Sequence, residues 1–401
     1  MVNFVNLIKK SSLIHPSRNM DFEELRTGLF EEVDNGNINT SYHNVFSNLV
    51  IFKYSQQCVI EKNWNQFTIM ARGLVLDLKN SVVVATPFIK FWNYNEILSI
   101  GDIIELDFLA TEKKDGSLGI CFWNNSRWMI CTCGSFISEQ AQWADNYLQK
   151  KINHNFLKKG TTYLFEIIYP GNRIVVPYTE DSLCLLSAYD DDGYEINKEE
   201  LDIIAKQVNF ERPEVYDFDE LDKILYAASV IDHTREGFVI RFKSGVRVKV
   251  KGDEYCRIHK LISRVTPIAV WEMLLNGDDM DRSLIDLPEE MESDYKQIVS
   301  VLENKLTEIL EGIEYAYEKT KHLSNKELGL ELKNKESKIL EDEIVKRFQG
   351  NIFARRKGTF LEEMKNVNSL TRKGIYRKFR PKSNFLEGYS PSSAMNRFND
   401  G

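Results

Sequence analysis

The residues Glu112-Lys113-Lys114-Asp115-Gly116-Ser117 hold the first group capable of covalent chemistry. A lysine amine can attack the α-phosphate of a nucleotide and keep the nucleotidyl group on its nitrogen. It must be neutral to do so, and a dry, locally cationic site lowers a lysine pKa enough to allow it. A tight turn at Asp115-Gly116 is expected to project the Lys113 amine out of its sheet. Alone the pattern is weak. It recurs by chance in roughly one chain in ten of this length, and an exposed hairpin turn would also account for it.

Residues farther along the chain add weight by their order. Phe165-Glu166-Ile167-Ile168 places one carboxylate in an apolar strand. An unpaired buried Glu is costly, so Glu166 needs a partner such as a ribose hydroxyl. Arg235-Glu236-Gly237-Phe238 opens a further strand with an acid. Val248-Lys249-Val250-Lys251 puts two lysines on one strand face, because side chains alternate. Two ammonium groups there repel unless an anion lies between them, and a triphosphate fits that role. Each piece has an ordinary alternative: a salt-bridged strand Glu, a Glu-Gly turn, a solvent-facing lysine edge.

These residues need a scaffold. Residues 45 to 250 read as short β-type runs, among them Gly73–Leu78, Ser81–Ala85, Leu118–Phe122, Tyr163–Ile168, Leu183–Ser187, Gly237–Phe242 and Val246–Val250. Branched and aromatic residues dominate them, and Asn124-Asn125 and Asp192-Gly193 punctuate them. With an interleaved helix over Ser138 to Lys151, this predicts an α+β domain of antiparallel sheets with flanking helices. From Asp253 the spacing turns helical, over Asp253 to Arg264, Thr266 to Leu275 and Met291 to His322. A chain of 401 residues has room for two domains, expected at 1–260 and 261–401, the second mainly helical with a loose tail.

Composition bounds the setting. No apolar run reaches the roughly 20 residues that a membrane span needs, and no signal-peptide pattern opens the chain. A cytoplasmic protein without a membrane partner is expected. The six cysteines are scattered, and Cys131-x-Cys133 lacks a second pair, so reduced core cysteines are expected rather than disulfides or zinc. The net charge of −8 hides an asymmetry. Between Lys346 and Lys382 stand twelve basic residues against Glu362 and Glu363, a footprint suited to a polyanion or else a solvated tail.

In this order the motifs resemble those of the covalent nucleotidyltransferase superfamily of polynucleotide ligases and RNA-capping guanylyltransferases. Further pieces resemble the T-even bacteriophage RNA ligase 1 family of tRNA-repair ligases: Phe52-Lys53-Tyr54, Ala71-Arg72-Gly73, Pro87-Phe88-Ile89-Lys90-Phe91, Gly134-Ser135 and Asn172-Arg173-Ile174-Val175. The resemblance implies a nucleotidyltransferase domain that adenylylates Lys113. It implies nucleotide contacts from Tyr54, Arg72, Lys90 and Glu112, ribose binding by Glu166, and Tyr255 near the site. Lys249 and Lys251 would contact the phosphates and assist catalysis. Glu236 and, more loosely, Asp278 would hold Mg²⁺ or Mn²⁺. The implied reaction uses ATP to join RNA 5′-phosphate and 3′-hydroxyl ends, as in a nicked tRNA, through lysyl-AMP and RNA-adenylate intermediates.

Cys131 and Cys133 depart from the family, which carries lysines before its Gly-Ser. The alternatives are a GTP-dependent capping guanylyltransferase and a non-catalytic RNA-binding protein on a ligase fold. The first normally carries an OB-fold downstream, where this chain reads helical. The second would not need Lys113, Glu166, Glu236, Lys249 and Lys251 together.

Overall fold

The computed structural model describes residues 2–98, 105–151, 156–172, 174–262, 265–284, 287, 289–334, 336–381 and 386–390. The expected C-terminal tail, Arg173, Arg264 and Lys382 lie outside the described residues. The chain divides into two units, Met1–Arg257 and Ile258–Asn399.

The first unit contains strands β1 (Ile38–Tyr42), β2 (Leu49–Tyr54), β3 (Arg72–Asp77), β4 (Val82–Ala85), β5 (Trp92–Asn93), β6 (Phe108–Lys113), β7 (Ser117–Asn124), β8 (Arg127–Thr132), β9 (Thr162–Ile168), β10 (Ser182–Tyr189), β11 (Val215–Tyr216), β12 (Gly237–Phe242) and β13 (Arg247–Lys251). They form three sheets, ordered β1-β2-β3-β4, β10-β9-β7-β8 and β11-β6-β12-β13-β5. The pairs are antiparallel except β13 with β5.

Alternation decides which face each strand buries. On β12, Phe238, Ile240 and Phe242 are buried, as are Val248 and Val250 on β13. They pack with Ile8 and with Ile224 and Ala228 of helix Leu221–Val230. Lys249 and Lys251 therefore face the opposite way, and a one-residue slip would bury both lysines. The first two sheets meet through Ile51, Val75, Ile120, Phe122 and Leu164. Helix Phe22–Asp34 covers the first sheet with Leu25 and Leu29, packed with Phe52 and Leu74. Helices Glu139–Lys151 and Lys198–Val208 cover the second with Ala144, Leu148, Leu201 and Ala205, packed with Phe165 and Ile167. Each sheet is thus packed against at least one helix.

The second unit is helical. Its longest helix, Glu289–Thr320, buries Met291, Tyr295, Ile298, Leu302, Ile309 and Ile313, at spacings of three, four and seven residues that share one helix face. Phe348 and Ile352 of helix Glu343–Arg356 and Ile375 of helix Leu370–Arg377 are buried as well. The basic run expected as a polyanion footprint is partly structural. Arg355 binds Glu314 at 2.5 and 3.1 Å. Arg356 donates to the carbonyls of Leu323 and Thr320. Arg372 donates to the carbonyls of Leu274, Leu275 and Met364 at 2.6, 2.9 and 2.6 Å, closing the end of helix Pro267–Asn276. Arg377 and Lys378 stay exposed and Lys373 half-buried. No helix among the described residues is long and apolar enough to cross a membrane.

Candidate active site

Lys113 ends β6, and the register sets it beside Gly237 on β12, which faces Lys251 on β13. Lys249 shares that face of β13, opposite Val239. Glu236 immediately precedes β12. One oxygen of its buried carboxylate takes Lys113 Nζ at 2.6 Å and the other Lys251 Nζ at 2.9 Å. Gly237 makes the arrangement possible. Its φ is +141°, and a Cβ there would lie 2.1 Å from the Val250 carbonyl oxygen and 2.8 Å from Lys251 Cα. Only glycine lets β12 and β13 close here with Glu236 aimed at both lysines.

Lys114-Asp115-Gly116 carries the chain from β6 in one sheet to β7 in another. The motif is therefore a crossover between sheets, not the tight projecting turn expected from sequence. Asp115 is buried, and its carboxylate accepts from the Val175 and Val176 N–H groups at 2.8 and 2.9 Å and from the Tyr255 hydroxyl at 2.8 Å. Its own N–H donates to Tyr178 Oη at 3.0 Å. Gly116 has no room for a side chain, since a Cβ would meet the Ile167 carbonyl oxygen at 2.5 Å. The turn that presents Lys113 is thus tied to β9, to the segment after it and to the helix at Tyr255. Lys114 turns away, bound to Glu112 at 3.0 Å and to Glu211 at 2.9 Å. Glu112, expected among the nucleotide contacts, is committed to that pair on the face opposite Lys113, and the structure does not bring it into the cluster.

The electrostatics separate two kinds of cation. Lys113 and Lys251 have Glu236 as counter-ion, whereas Arg72, Lys90 and Lys249 have no carboxylate within ion-pair distance among the described residues. Aromatic faces steady them instead. The Arg72 guanidinium lies 4.7 Å and Lys249 Nζ 6.0 Å from the Phe91 ring centre. Lys90 Nζ lies 5.4 Å from Trp64 and 5.3 Å from Trp92. One Arg72 Nη is buried without a hydrogen-bond partner. Burial, then the charges of Lys113 and Arg72, push the Lys249 pKa down to about 7. Burial and Arg72 lower that of Lys90 too. Farther along the same face of β13 the contrast is plain, because Arg247 and its neighbour Arg241 both bind the buried Glu195.

Sequence reasoning assigned a lowered pKa to Lys113, and the structure reverses this. Burial would lower it, but Glu236 and then Glu166 outweigh burial and hold it above the ordinary lysine value. Glu166 lies in β9 between Phe165 and Ile167 of the core and accepts no hydrogen bond through its carboxylate among the described residues. Burial pushes its pKa up to about 8 against the pull of Lys113. Tyr54 lies against Arg72, and burial raises its pKa. Asp278 belongs to the second unit, exposed on the loop after helix Pro267–Asn276. Among the described residues no three His, Cys, Asp or Glu side chains are placed to hold a metal by themselves.

Sequence reasoning missed Tyr178, Trp64, Trp92 and the role of the Phe91 ring. Their only signal was aromatic residues near Lys90 and between the motifs, which core packing would equally explain.

Residues 70–255 match the family model described as RNA ligase, RNA_lig_T4_1. That segment, a little under half of the chain, resembles this RNA ligase family. The matched segment includes Arg72, Lys90, Lys113, Glu166, Glu236, Lys249 and Lys251, while Tyr54 and Asp278 fall outside it. A protein of Autographa californica nuclear polyhedrosis virus, provisionally described as a bifunctional polynucleotide kinase/RNA ligase, is 26% identical over 269 residues, 58% of this chain but 38% of the viral protein. The RNA ligase of Rhodothermus phage RM378 is 20% identical over 333 residues, 64% of this chain and 74% of that ligase. Among solved structures, a protein of Aquifex aeolicus provisionally described as an ATP-dependent DNA ligase gives a TM-score of 0.45 at 14% identity, covering 69% of this chain and 71% of that one.

Proposed function

We propose that the chain is an ATP-dependent RNA ligase that carries AMP on Lys113 and seals a 5′-phosphate to a 3′-hydroxyl, with a nicked tRNA in the cytoplasm as its natural substrate. The observation that carries the reading is the set of unmatched charges around one lysine. Among the described residues Glu166 lacks a donor, and Arg72, Lys90 and Lys249 lack acids within ion-pair distance. A nucleoside triphosphate supplies both complements, a ribose diol for the first and phosphate oxygens for the others. The metal fits a narrower way. Glu236 offers one carboxylate, and Mg²⁺ is commonly held by one or two carboxylates together with substrate phosphates. When bound there, the ion offsets phosphate charge.

The chain's own residues do the rest. Lys113 must lose its proton to solvent before attack. Glu236 is shared, and its shift wholly onto Lys251 would free the Lys113 amine among cations that favour its neutral form. The Nζ–Pα bond then forms as the bond from Pα to the bridging oxygen breaks, and pyrophosphate departs. Lys249 stabilises the charge developing on the α-phosphate. AMP next passes to the RNA 5′-phosphate, and attack of the 3′-hydroxyl expels it. The deciding experiment incubates the protein with labelled ATP or GTP, followed by mass spectrometry and a nicked RNA. One AMP on Lys113 and a sealed strand are expected. A GMP adduct would make it a guanylyltransferase, and no adduct with either nucleotide would leave a binding protein.

Lys249 gives the site a pH signature. With a pKa of about 7 against the ordinary 10.5, it is charged below neutrality and largely neutral above. Phosphate binding restores its charge, so above pH 7 binding must take up a proton and affinity must fall as pH rises, by up to about tenfold per unit. Calorimetry with α,β-methylene-ATP at pH 8 in buffers of different ionisation enthalpy should record this uptake. It should vanish in Lys249→Arg, and equal uptake in the variant would remove Lys249 from the account.

Lys373, Arg377 and Lys378 of the second unit, exposed or half-buried, are proposed to hold RNA. Replacing Lys373, Arg377 and Lys378 together by Ala should leave adenylylation intact. It should flatten the slope of log affinity against log salt by up to about two units for single-stranded RNA. Arg372→Ala should instead destabilise the unit, by roughly 1.5–3 kcal/mol for lost charge-assisted hydrogen bonds. A triple variant with an unchanged slope would reduce those side chains to solvated surface.

A further inference from the structure

Lys53 carries a charge that none of the interactions at the Lys113 site uses. A register shift between Phe52 and Lys53 on β2 sets it opposite Arg72 on β3. Its stem runs over Gly134, where a Cβ would lie 3.0 Å from Lys53 Cδ and 3.5 Å from Nζ. The Gly134 carbonyl is fixed by the Ser41 hydroxyl at 2.8 Å, so that backbone is held against β1. A side chain at 134 would therefore have to displace the lysine. Half-buried, Lys53 makes no side-chain hydrogen bond or ion pair among the described residues. The neighbouring Cys133 is no counter-ion, because burial holds its thiol pKa up against the pull of Arg72 and Lys53. A solvated surface lysine would need neither the register shift nor the passage over glycine.

Lys249 and Arg72 both lie against the Phe91 ring, and Lys53 is Arg72's cross-strand partner. Three cations without acids within ion-pair distance among the described residues thus follow one another, beginning beside Lys113 and ending at Lys53. We propose that Lys53 binds a phosphate group at the end of this row remote from Lys113, a positioning and affinity role for the ligase reaction. The proposal rests on the chain being a ligase that adenylylates Lys113. The phosphate has two possible sources, the terminal phosphate of ATP and the 5′-phosphate of the RNA, and they are separable because they act in different steps.

The test compares wild type with Lys53→Met and Lys53→Arg, after melting curves establish that both variants fold. One arm measures KM and kcat for Lys113–AMP formation from ATP, together with KM for pyrophosphate in the reverse reaction. The other measures transfer of AMP from pre-adenylylated protein to 5′-phosphorylated RNA in a single turnover. Loss of a charge-assisted hydrogen bond should raise the relevant KM by about tenfold or more in Lys53→Met, with kcat little changed and Lys53→Arg near wild type. A defect in the first arm assigns the phosphate to ATP, and a defect confined to the second assigns it to RNA. Values within twofold of wild type in both arms, or a Lys53→Arg protein as impaired as Lys53→Met, would overturn the proposal. Wild-type protein that forms no Lys113–AMP would overturn the ligase reading itself, an outcome distinct from either.

Discussion

A Lys113→Ala protein given labelled ATP and metal should carry no AMP, while a Lys114→Ala protein should still be labelled. The neighbouring lysines look interchangeable in sequence but are opposed in structure. Lys113 Nζ sits on Glu236 in the face shared with Lys249 and Lys251, and Lys114 is clamped between Glu112 and Glu211 on the other face. Removing the only amine in position deletes the covalent step, so the loss should be complete within detection rather than graded. Lys114→Ala leaves two carboxylates unpaired, and a cost in stability rather than in chemistry is expected there. Peptide mapping locates the adduct. Label recovered on a peptide from the Lys113→Ala protein would sink the assignment.

Gly237→Ala should be nearly as damaging without removing any functional group. The new methyl would stand 2.1 Å from the Val250 carbonyl oxygen and 2.8 Å from Lys251 Cα, both backbone atoms that cannot rotate aside. Relief requires β12 and β13 to part where Glu236 bridges Lys113 and Lys251. Strain of this kind costs about 1–3 kcal/mol, and a displacement near 1 Å at a reacting centre can cost on the order of a hundredfold in rate. A lower melting temperature together with adenylylation reduced about a hundredfold or more is therefore expected. A variant with wild-type melting and rate would mean that the strands accommodate the methyl and that Glu236 is not positioned through Gly237.

Legibility in the sequence followed physical locality. The strands around Glu166, Gly237 and Lys249 were readable because alternation is a property of consecutive residues. The lysine pair of β13 was predicted on one face and is found there. Strands β1, β2, β5, β6, β8 and β11 were not among the runs named; β5 and β11 have only two residues each, and β5 pairs parallel to β13. The segment after Lys113 was recognised by spacing, but its nature was not, because Asp115 is anchored by Val175, Val176 and Tyr255, 60 to 140 residues away. The Lys113 pKa was misjudged for the same reason. Its sign depends on whether Glu236 or the cations lie nearer, and sequence spacing carries no such distance. The basic run of the second unit counted charges correctly and could not tell Arg372, which closes a helix, from Arg377, which faces solvent.

The aromatic support of Arg72, Lys90 and Lys249 bears on how this protein balances endurance against work. Rings hold these cations in place without neutralising them, so the empty fold retains mutual repulsion that a carboxylate would have quenched. The remedy is already present a few residues away, where Glu195 supplies Arg241 and Arg247 with a counter-ion. An acid placed likewise beside Lys249 would make a calmer, sturdier protein with no appetite for a polyanion. The fold's discomfort when empty is the same quantity that its ligand relieves, and natural sequences commonly retain such discomfort where activity requires it.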